Sequence, residues 1–158
     1  MAGWHNGPTE AGGGAITTSK KGRTLDGDAG FLLSLAGGRL IRNLNRELES
    51  FGLRARHYTV LMATAEHGGL SQRELGELLG IDPSAVVALV DDLQREGYVR
   101  RDPHPDDRRT RLVVITDSGR DAFAKASELA TKVDDEALGA LDEGERAQLV
   151  QLLRRIVS

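Results

Sequence analysis

Apolar residues recur at steps of three and four along most of the chain from residue 31 onward, which is the spacing of one face of an α-helix. The first such stretch predicts a long helix over residues 30–52, and a second helix follows that ends near residues 68 and 69. Two more amphipathic helices are predicted to start at Thr116 and at Asp142, near the C-terminal end. The apolar positions of the first helix are Leu33, Gly37, Leu40, Leu44, Leu48 and Phe51.

Two short helices with explicit start and stop signals lie in the middle of the chain. Ser71 and Glu74 have the spacing of a capping box, in which the first side chain caps the helix and the second returns to its start. After Gly80, Asp82 suits an N-cap and Pro83 suits the first helical turn, where its missing N–H is not needed. A three-residue connection, residues 80–82, between two helices predicts a helix-turn-helix.

The hydrophobic period changes from helical to alternating after Gly97. Residues 98–102 are short and extended, and Pro103 and Pro105 exclude a continuous helix or strand. From residue 109 to residue 116 the side chains are assigned alternately to two faces of a β-strand. One face carries Arg109, Arg111, Val113 and Ile115, and the other Thr110, Leu112 and Val114. The pattern predicts a β-hairpin with a charged tip directly after the second short helix, an arrangement called a wing. The predicted fold is mainly α with a small β-wing.

Composition restricts the chemistry open to this chain of 158 residues. It has no cysteine, which excludes disulfides, a thiol redox sensor and cysteine-ligated zinc. No apolar run approaches the roughly 18 residues of a membrane span, so we expect a cytoplasmic protein with no membrane partner. No metalloprotease, P-loop or dinucleotide-binding motif is present, and we therefore expect no enzyme activity, no cofactor and no metal.

The distribution of charge is more informative than the net charge of −3. Five arginines lie between residues 100 and 111, against three aspartates, whereas residues 117–158 hold nine acids against six bases. DNA is attracted by a local cationic patch rather than by a total. Cationic charge concentrated in the predicted hairpin therefore permits a nucleic-acid partner but does not by itself establish one.

The segments divide into four predicted regions. Residues 1–29, rich in glycine, are predicted to be a flexible tail. Residues 30–52 form an N-terminal dimerisation helix, residues 53–116 a winged helix-turn-helix lobe, and residues 117–158 the C-terminal dimerisation helices. The apolar stripes of the flanking helices exceed what so small a domain can cover, which predicts a homodimer formed by both chain ends.

Residues 31–157 resemble the MarR (multiple antibiotic resistance regulator) family. The segment from Asp107 to Thr116 fits the family's wing pattern of Asp, any residue, Arg, three of any, an aliphatic, any, an aliphatic and Thr. Residues 89–93 and 97–101 are similar to the end of the family's recognition helix and the strand after it. The resemblance implies a transcriptional regulator, a repressor by analogy, that binds a pseudo-palindromic double-stranded operator as a homodimer.

The resemblance also assigns roles in the wing. It implies that Arg109 enters the minor groove, where negative potential is enhanced. Asp107 would orient Arg109 through a bidentate pair with its guanidinium, and Arg108 and Arg111 would contact phosphates. Solvated surface ion pairs are the alternative reading of these charges.

The recognition helix itself predicts modest base reading. Val87 and Ala88 can pack on thymine methyl groups but cannot make bidentate hydrogen bonds to purines. Gln72 and Ser84 are the hydrogen-bonding candidates near the helix starts, with helix capping or solvation an equal alternative. The predicted DNA-contacting residues of the two helices are Gln72, Ser84, Ala85, Val87 and Ala88.

The family resemblance further implies a pocket for small aromatic or phenolic acids between the dimerisation helices and the DNA-binding lobe. Arg39, Arg42 and His57 could supply its positive charge. Surface placement of the arginines and a helix-capping role for His57 are the plainer alternatives. A bound effector would shift the two recognition helices and lower the affinity for DNA.

A winged helix that binds another protein rather than DNA is the alternative function, and the apolar side chains of Val87 and Ala88 favour it. Salt distinguishes the two, because binding through several phosphates weakens steeply as salt rises. An apolar protein contact does not.

Overall fold

The computed structural model describes residues 24–107 and 109–158. Six α-helices and three short strands make up the described chain. A single 3₁₀ turn precedes the first helix at Leu25–Gly27, and another follows it at Glu49–Phe51. In chain order the elements are α1 (Ala29–Leu48), α2 (Ala55–His67), β1 (Leu70–Ser71), α3 (Gln72–Leu79), α4 (Pro83–Arg95), β2 (Val99–Pro103), β3 (Arg111–Ile115), α5 (Asp117–Ala137) and α6 (Glu143–Val157).

The start of α1 lies just inside the segment predicted to be a tail. Residues 1–23 of that predicted tail lie outside the described residues. Near the C-terminal end of the predicted tail, the Asp28 side chain accepts a hydrogen bond from the Phe31 N–H at 2.9 Å and caps α1. At the other end of α1, Gly52 has a φ of 64° and stops the helical run after the 3₁₀ turn, close to the predicted end at residue 52.

The local signals of the helix-turn-helix act as predicted. The Ser71 hydroxyl accepts from the Glu74 N–H at 3.2 Å, and the Ser71 N–H donates to the Glu74 carboxylate at 2.8 Å. Gly80 ends α3 in the left-handed region with a φ of 61°, which a residue with a Cβ adopts only with strain. Asp82 caps α4 and Pro83 is its first residue.

The three strands form one antiparallel sheet in the order β1-β3-β2. β2 and β3 are the predicted hairpin, with Val99 opposite Ile115 and Arg101 opposite Val113. β1 was not predicted, because two residues are too few to show a period. It joins the sheet through the pairing of Leu70 with Val113.

One hydrophobic core holds the winged helix-turn-helix together and extends to α5. Its fully buried members come from α1, α2, α3, α4 and both long strands. α5 closes the core through Ala126, and the Phe123 ring stacks on the Tyr58 ring with centroids 5.7 Å apart. The largest fully buried side chains are Leu48, Leu61, Leu75, Leu93, Val60, Val86, Val90, Val99, Val113 and Thr64.

The two ends of the chain carry apolar side chains that the single chain leaves exposed. None of the fifteen residues of α6 is buried. Ile156 of α6 is 64% exposed and Ile41 of α1 is 54% exposed, so the predicted stripes are present and uncovered. No helix in the described ranges has the length and apolarity that a membrane span needs.

At the junction between the wing and α5, two backbone segments approach each other closely. The Thr116 hydroxyl donates to the Gly97 carbonyl at 2.7 Å and accepts from the Gly119 N–H at 3.0 Å. A Cβ placed on Gly119 would lie 2.0 Å from the Tyr98 carbonyl oxygen. Only glycine lets the first turn of α5 approach the hairpin so closely.

We therefore expect Gly119→Ala to lower the free energy of unfolding by about 2 kcal/mol or more, because backbone has to move to admit the methyl group. Urea denaturation followed by circular dichroism measures the change. Gly144→Ala is the matched control, since Gly144 also lies in a first helical turn but its added Cβ would meet only the Asp142 side chain, at 3.3 Å. Equal stability of the two variants would contradict the assignment.

Candidate nucleic-acid interface

The outer face of α4 carries the side chains that the sequence predicted to face DNA. Val86 and Val90 are fully buried, and helical geometry therefore turns the opposite side of α4 outward. Ser84 and Ala88 are exposed, Val87 is 43% exposed, and Ala85 is half-buried. The structure thus brings the predicted residues of α4 to one surface, with Ala85 at its margin.

Ser84 takes part in the cap of its own helix. Its N–H donates to Asp82 Oδ1 at 2.9 Å and its hydroxyl donates to the same oxygen at 2.5 Å. These two hydrogen bonds, the hydroxyl's first, hold the pKa of the Asp82 carboxyl below its ordinary value. In this geometry the hydroxyl proton points to Asp82, which leaves the Ser84 oxygen able to accept a hydrogen bond from a DNA base.

Gln72 is also engaged within the protein. Its side-chain oxygen accepts a hydrogen bond from Nε of Arg101 on β2, at 3.2 Å. Arg101 was not among the predicted site residues. One signal could have found it, because Arg101 lies two positions after the buried Val99 and so shares its side of the strand, where a charge needs a partner.

Arg109 and Arg111 of the wing are exposed, as an arginine that contacts DNA requires. Arg111 is the first residue of β3, and Arg109 lies two residues before it in the hairpin tip. Arg108 lies outside the described residues, so its predicted phosphate contact stays a prediction.

The role predicted for Asp107 needs a correction. Its Oδ1 accepts from the backbone N–H of Arg109 at 2.9 Å, and its Oδ2 accepts from the Thr110 hydroxyl at 2.8 Å. These bonds, the backbone one first, lower the pKa of the Asp107 carboxyl. Asp107 therefore shapes the backbone of the wing tip, whereas a bidentate pair with the Arg109 guanidinium was expected. An aspartate two residues before the arginine can reach the arginine's backbone N–H, which lies nearer than its guanidinium.

One of the three predicted effector residues lines a basic cleft at the end of α1. The cleft has a volume of about 510 Å³ and is lined by Arg42, Asn45, Arg46, Glu49, Gly52, Leu53 and Arg54. Arg39 is exposed on α1 and is not part of this lining. Arg46 and Arg54 also line the cleft, so that three arginines surround it. Neither was among the predicted site residues.

His57 caps α2 from inside the protein. It is 8% exposed, its Nδ1 accepts from the Arg54 N–H at 3.2 Å, and its Nε2 lies 3.7 Å from Asp92 Oδ2. Burial lowers the pKa of the imidazole from its ordinary value of 6.5, and the nearby Asp92 only partly offsets this. His57 is thus neutral at pH 7 with its proton on Nε2, and the structure does not support it as a cationic ligand group.

The fold and this surface together define a winged helix-turn-helix DNA-binding protein. A family model described as "MarR family" matches residues 51–110. A transcriptional regulator of the MarR family from Rhodococcus sp. RHA1 is 32% identical, with a TM-score of 0.80 over 85% of this chain and 96% of that one. The chain belongs to the MarR family and is a DNA-binding transcriptional regulator.

Two further solved structures carry ligands. CouR from Rhodococcus jostii RHA1, bound to p-coumaroyl-CoA, is 34% identical with a TM-score of 0.78, over 85% of this chain and 94% of that one. A mutant of MarR from E. coli, complexed with operator DNA, is 27% identical with a TM-score of 0.73, over 82% of this chain and 93% of that one. The family resemblance and the winged-helix fold predicted from the sequence are confirmed.

The buried imidazole of His57 predicts a pH-dependent stability. Because burial lowers its pKa in the folded state, the unfolded chain binds the proton first, and stability is lost as pH falls through about 6.5. His57→Gln keeps a side chain that can accept from the N-cap N–H but does not titrate. We expect the free energy of unfolding of the wild type to fall more steeply than that of His57→Gln between pH 7.5 and pH 5.5, about the ordinary histidine range.

Urea denaturation at several pH values measures both slopes, and His67→Gln, at an exposed position, is the control for a histidine without this environment. Parallel curves for the wild type and His57→Gln would contradict the neutral, capping state of His57.

Proposed function

We propose that this regulator acts as a homodimer that binds a pseudo-palindromic operator and represses transcription until a small anionic effector releases it. The observation that carries the DNA-binding part is the exposed face of α4 beside a wing with exposed arginines at residues 109 and 111. A recognition helix fits the major groove, and an arginine on a neighbouring hairpin reaches the adjacent minor groove. The E. coli relative that is complexed with operator DNA supports operator binding by this chain.

The uncovered apolar faces at the two chain ends support a second copy of the chain as the dimer partner. On α1 the exposed apolar residues are Phe31, Leu32, Leu33 and Ile41, and on α6 they are Val150, Leu152, Ile156 and Val157. Burying apolar area contributes roughly 25 cal/mol per Å², so leaving two such stripes in water is unfavourable. A symmetric dimer matches two half-sites one helical turn, about 34–36 Å, apart.

The basic cleft supports an anionic effector. Its three guanidinium groups belong to Arg42, Arg46 and Arg54. Glu49 is the acid in the lining, and in the described part of the chain none of the three arginines has a carboxylate within ion-pair distance. Unpaired like charges around a cleft repel one another, and an anion removes that repulsion while accepting bidentate hydrogen bonds.

The CouR complex gives the effector proposal a chemical class. Its ligand, p-coumaroyl-CoA, combines a phenolic acyl group with an anionic carrier. We infer that this chain responds to a small aromatic acid or its thioester, and that it works in the cytoplasm, where bacterial chromosomal DNA lies. No catalysed reaction is part of the proposal.

Arg109→Ala is expected to weaken operator binding about tenfold or more while the protein stays folded, because it removes a groove contact from each half-site. The operator is first obtained by sequencing genomic fragments that the purified protein retains. Fluorescence anisotropy then measures the dissociation constant, with Lys125→Ala, an exposed cation on α5, as the matched control.

Unchanged affinity of Arg109→Ala would contradict the role of the wing. The salt dependence of wild-type binding distinguishes a DNA-binding protein from a protein-binding winged helix. A plot of log affinity against log salt concentration with a slope near zero would favour the protein-binding alternative.

Arg42→Ala and Arg46→Ala are expected to remove the response to effector and leave operator affinity in its absence within about twofold, since neither residue lies on α4 or the wing. The probes are p-coumaroyl-CoA and 4-hydroxybenzoate, added to the wild-type complex with operator. We expect at least one of them to weaken the wild-type complex. A response that persists in both variants would contradict the cleft as the effector site, and no response to either probe would contradict the proposed effector class.

A further inference from the structure

We propose, on the basis of the DNA binding proposed above, that Arg101 is a positioning residue that fixes the recognition helix α4 relative to the wing and thereby sets operator specificity. It does so from within the protein and makes no contact with phosphate. Losing it should therefore reduce discrimination between sequences rather than general attraction to DNA.

The place of Arg101 in the sheet directs its side chain towards the helices. Side chains alternate along β2, so Arg101 lies on the same side as Val99, which is buried. Its partner in the register is Val113, also fully buried. The Arg101 side chain is 24% exposed, so a charge stands at the edge of an apolar layer, where it has to be hydrogen-bonded to be tolerated.

Three partners on two helices satisfy this guanidinium. Nη2 donates to Asp91 Oδ1 at 2.5 Å, Nη1 donates to Gln94 Oε1 at 2.5 Å, and Nε donates to Gln72 Oε1 at 3.2 Å. Asp91 and Gln94 are three residues apart on α4 and so share one face of it. Gln72 is the first residue of α3. One side chain of the wing thus holds both helices of the helix-turn-helix.

The planar fork of arginine makes this contact directional. A guanidinium holds its N–H groups in fixed directions, so two bonds to α4 and one to α3 fix the distance and the rotation of the two helices against β2. A lysine in the same place keeps the charge but not the directions. Base contacts need the helix and the wing to enter their grooves in one fixed arrangement, whereas attraction to phosphates tolerates small rotations.

The same contact removes a repulsive charge from the DNA-facing surface. Asp91 is exposed on α4, where its carboxylate would repel phosphate. Its ion pair with Arg101 neutralises it and commits the arginine to the protein. Arg101 is therefore a poor candidate for a phosphate contact despite its place in the basic segment.

Arg100, the next residue, is the matched control. Its side chain is 55% exposed and pairs with Asp102 on its own strand, Nε to Oδ2, at 2.9 Å. It has the same charge and nearly the same place in the chain. The hydrogen bonds that it makes do not reach α3 or α4.

The experiment compares Arg101→Gln, Arg101→Lys and Arg100→Gln with the wild type. Each dissociation constant is measured for the operator and for a scrambled duplex of the same length and composition, over a series of salt concentrations, after circular dichroism has confirmed the fold. For both Arg101 variants we expect operator affinity to fall about tenfold or more. Affinity for the scrambled duplex should change less than about twofold in Arg101→Lys, which keeps the charge, and should fall less than operator affinity in Arg101→Gln, which leaves Asp91 unpaired. The salt slope of operator binding should stay unchanged.

Two results would overturn the proposal. One is a fall in the salt slope by about 0.9 per lost contact in Arg101→Gln, which indicates a phosphate contact. The other is an equal loss for operator and scrambled duplex. If the wild type itself does not prefer the operator, the DNA-binding function fails rather than the role of Arg101.

Asp91→Asn gives a second test that does not depend on the stability of the Arg101 variants. Removing an acid from the DNA-facing surface raises affinity for any duplex through charge alone. For Asp91→Asn we expect tighter binding to the scrambled duplex and a smaller ratio of operator affinity to scrambled-duplex affinity. In a double-mutant cycle, the effects of Asp91→Asn and Arg101→Gln on this ratio should not be additive. An unchanged or larger ratio would overturn the proposal.

Discussion

The DNA-facing surface depends on how the inner side of α4 is packed. Val86, Val90 and Leu93 recur at helical spacing and are buried against the remaining core. Close packing leaves a helix that is buried along one side little freedom to rotate. Because apolar contacts hold the inner side of α4 against the core, Ser84, Val87 and Ala88 face outward, and the hydrogen bonds of Arg101 set the finer angle between α4 and the wing.

Local signals in the sequence were enough to predict most of the fold. The Ser71–Glu74 capping box and the Asp82 N-cap act through hydrogen bonds that span two or three residues, and these form as expected. The assignment of side chains to two faces of β3 likewise predicted the strand, because this pattern lies within the strand itself. Two-residue β1 carries no such signal, because its place in the sheet comes from pairing with Val113, far along the chain.

The roles of individual site residues were harder to predict than the elements that carry them. Gln72 meets Arg101 across 29 residues of sequence, and only the assembled sheet brings them together. Asp107 had two possible partners in Arg109, the side chain and the backbone, and sequence spacing does not distinguish them. The helix-capping alternative for His57 was correct, but its lowered pKa depends on burial in the assembled fold, which the sequence does not show.

The hydrogen bonds at the start of α5 have a mechanical consequence. Thr116 and Ser118 both donate to the Gly97 carbonyl, at 2.7 Å and 2.9 Å, and Gly119 brings the helix against Tyr98 without any cushioning side chain. The base of the hairpin and the first turn of α5 therefore move as one stiff piece. We therefore expect a tilt at the far end of α5 to displace the wing as well.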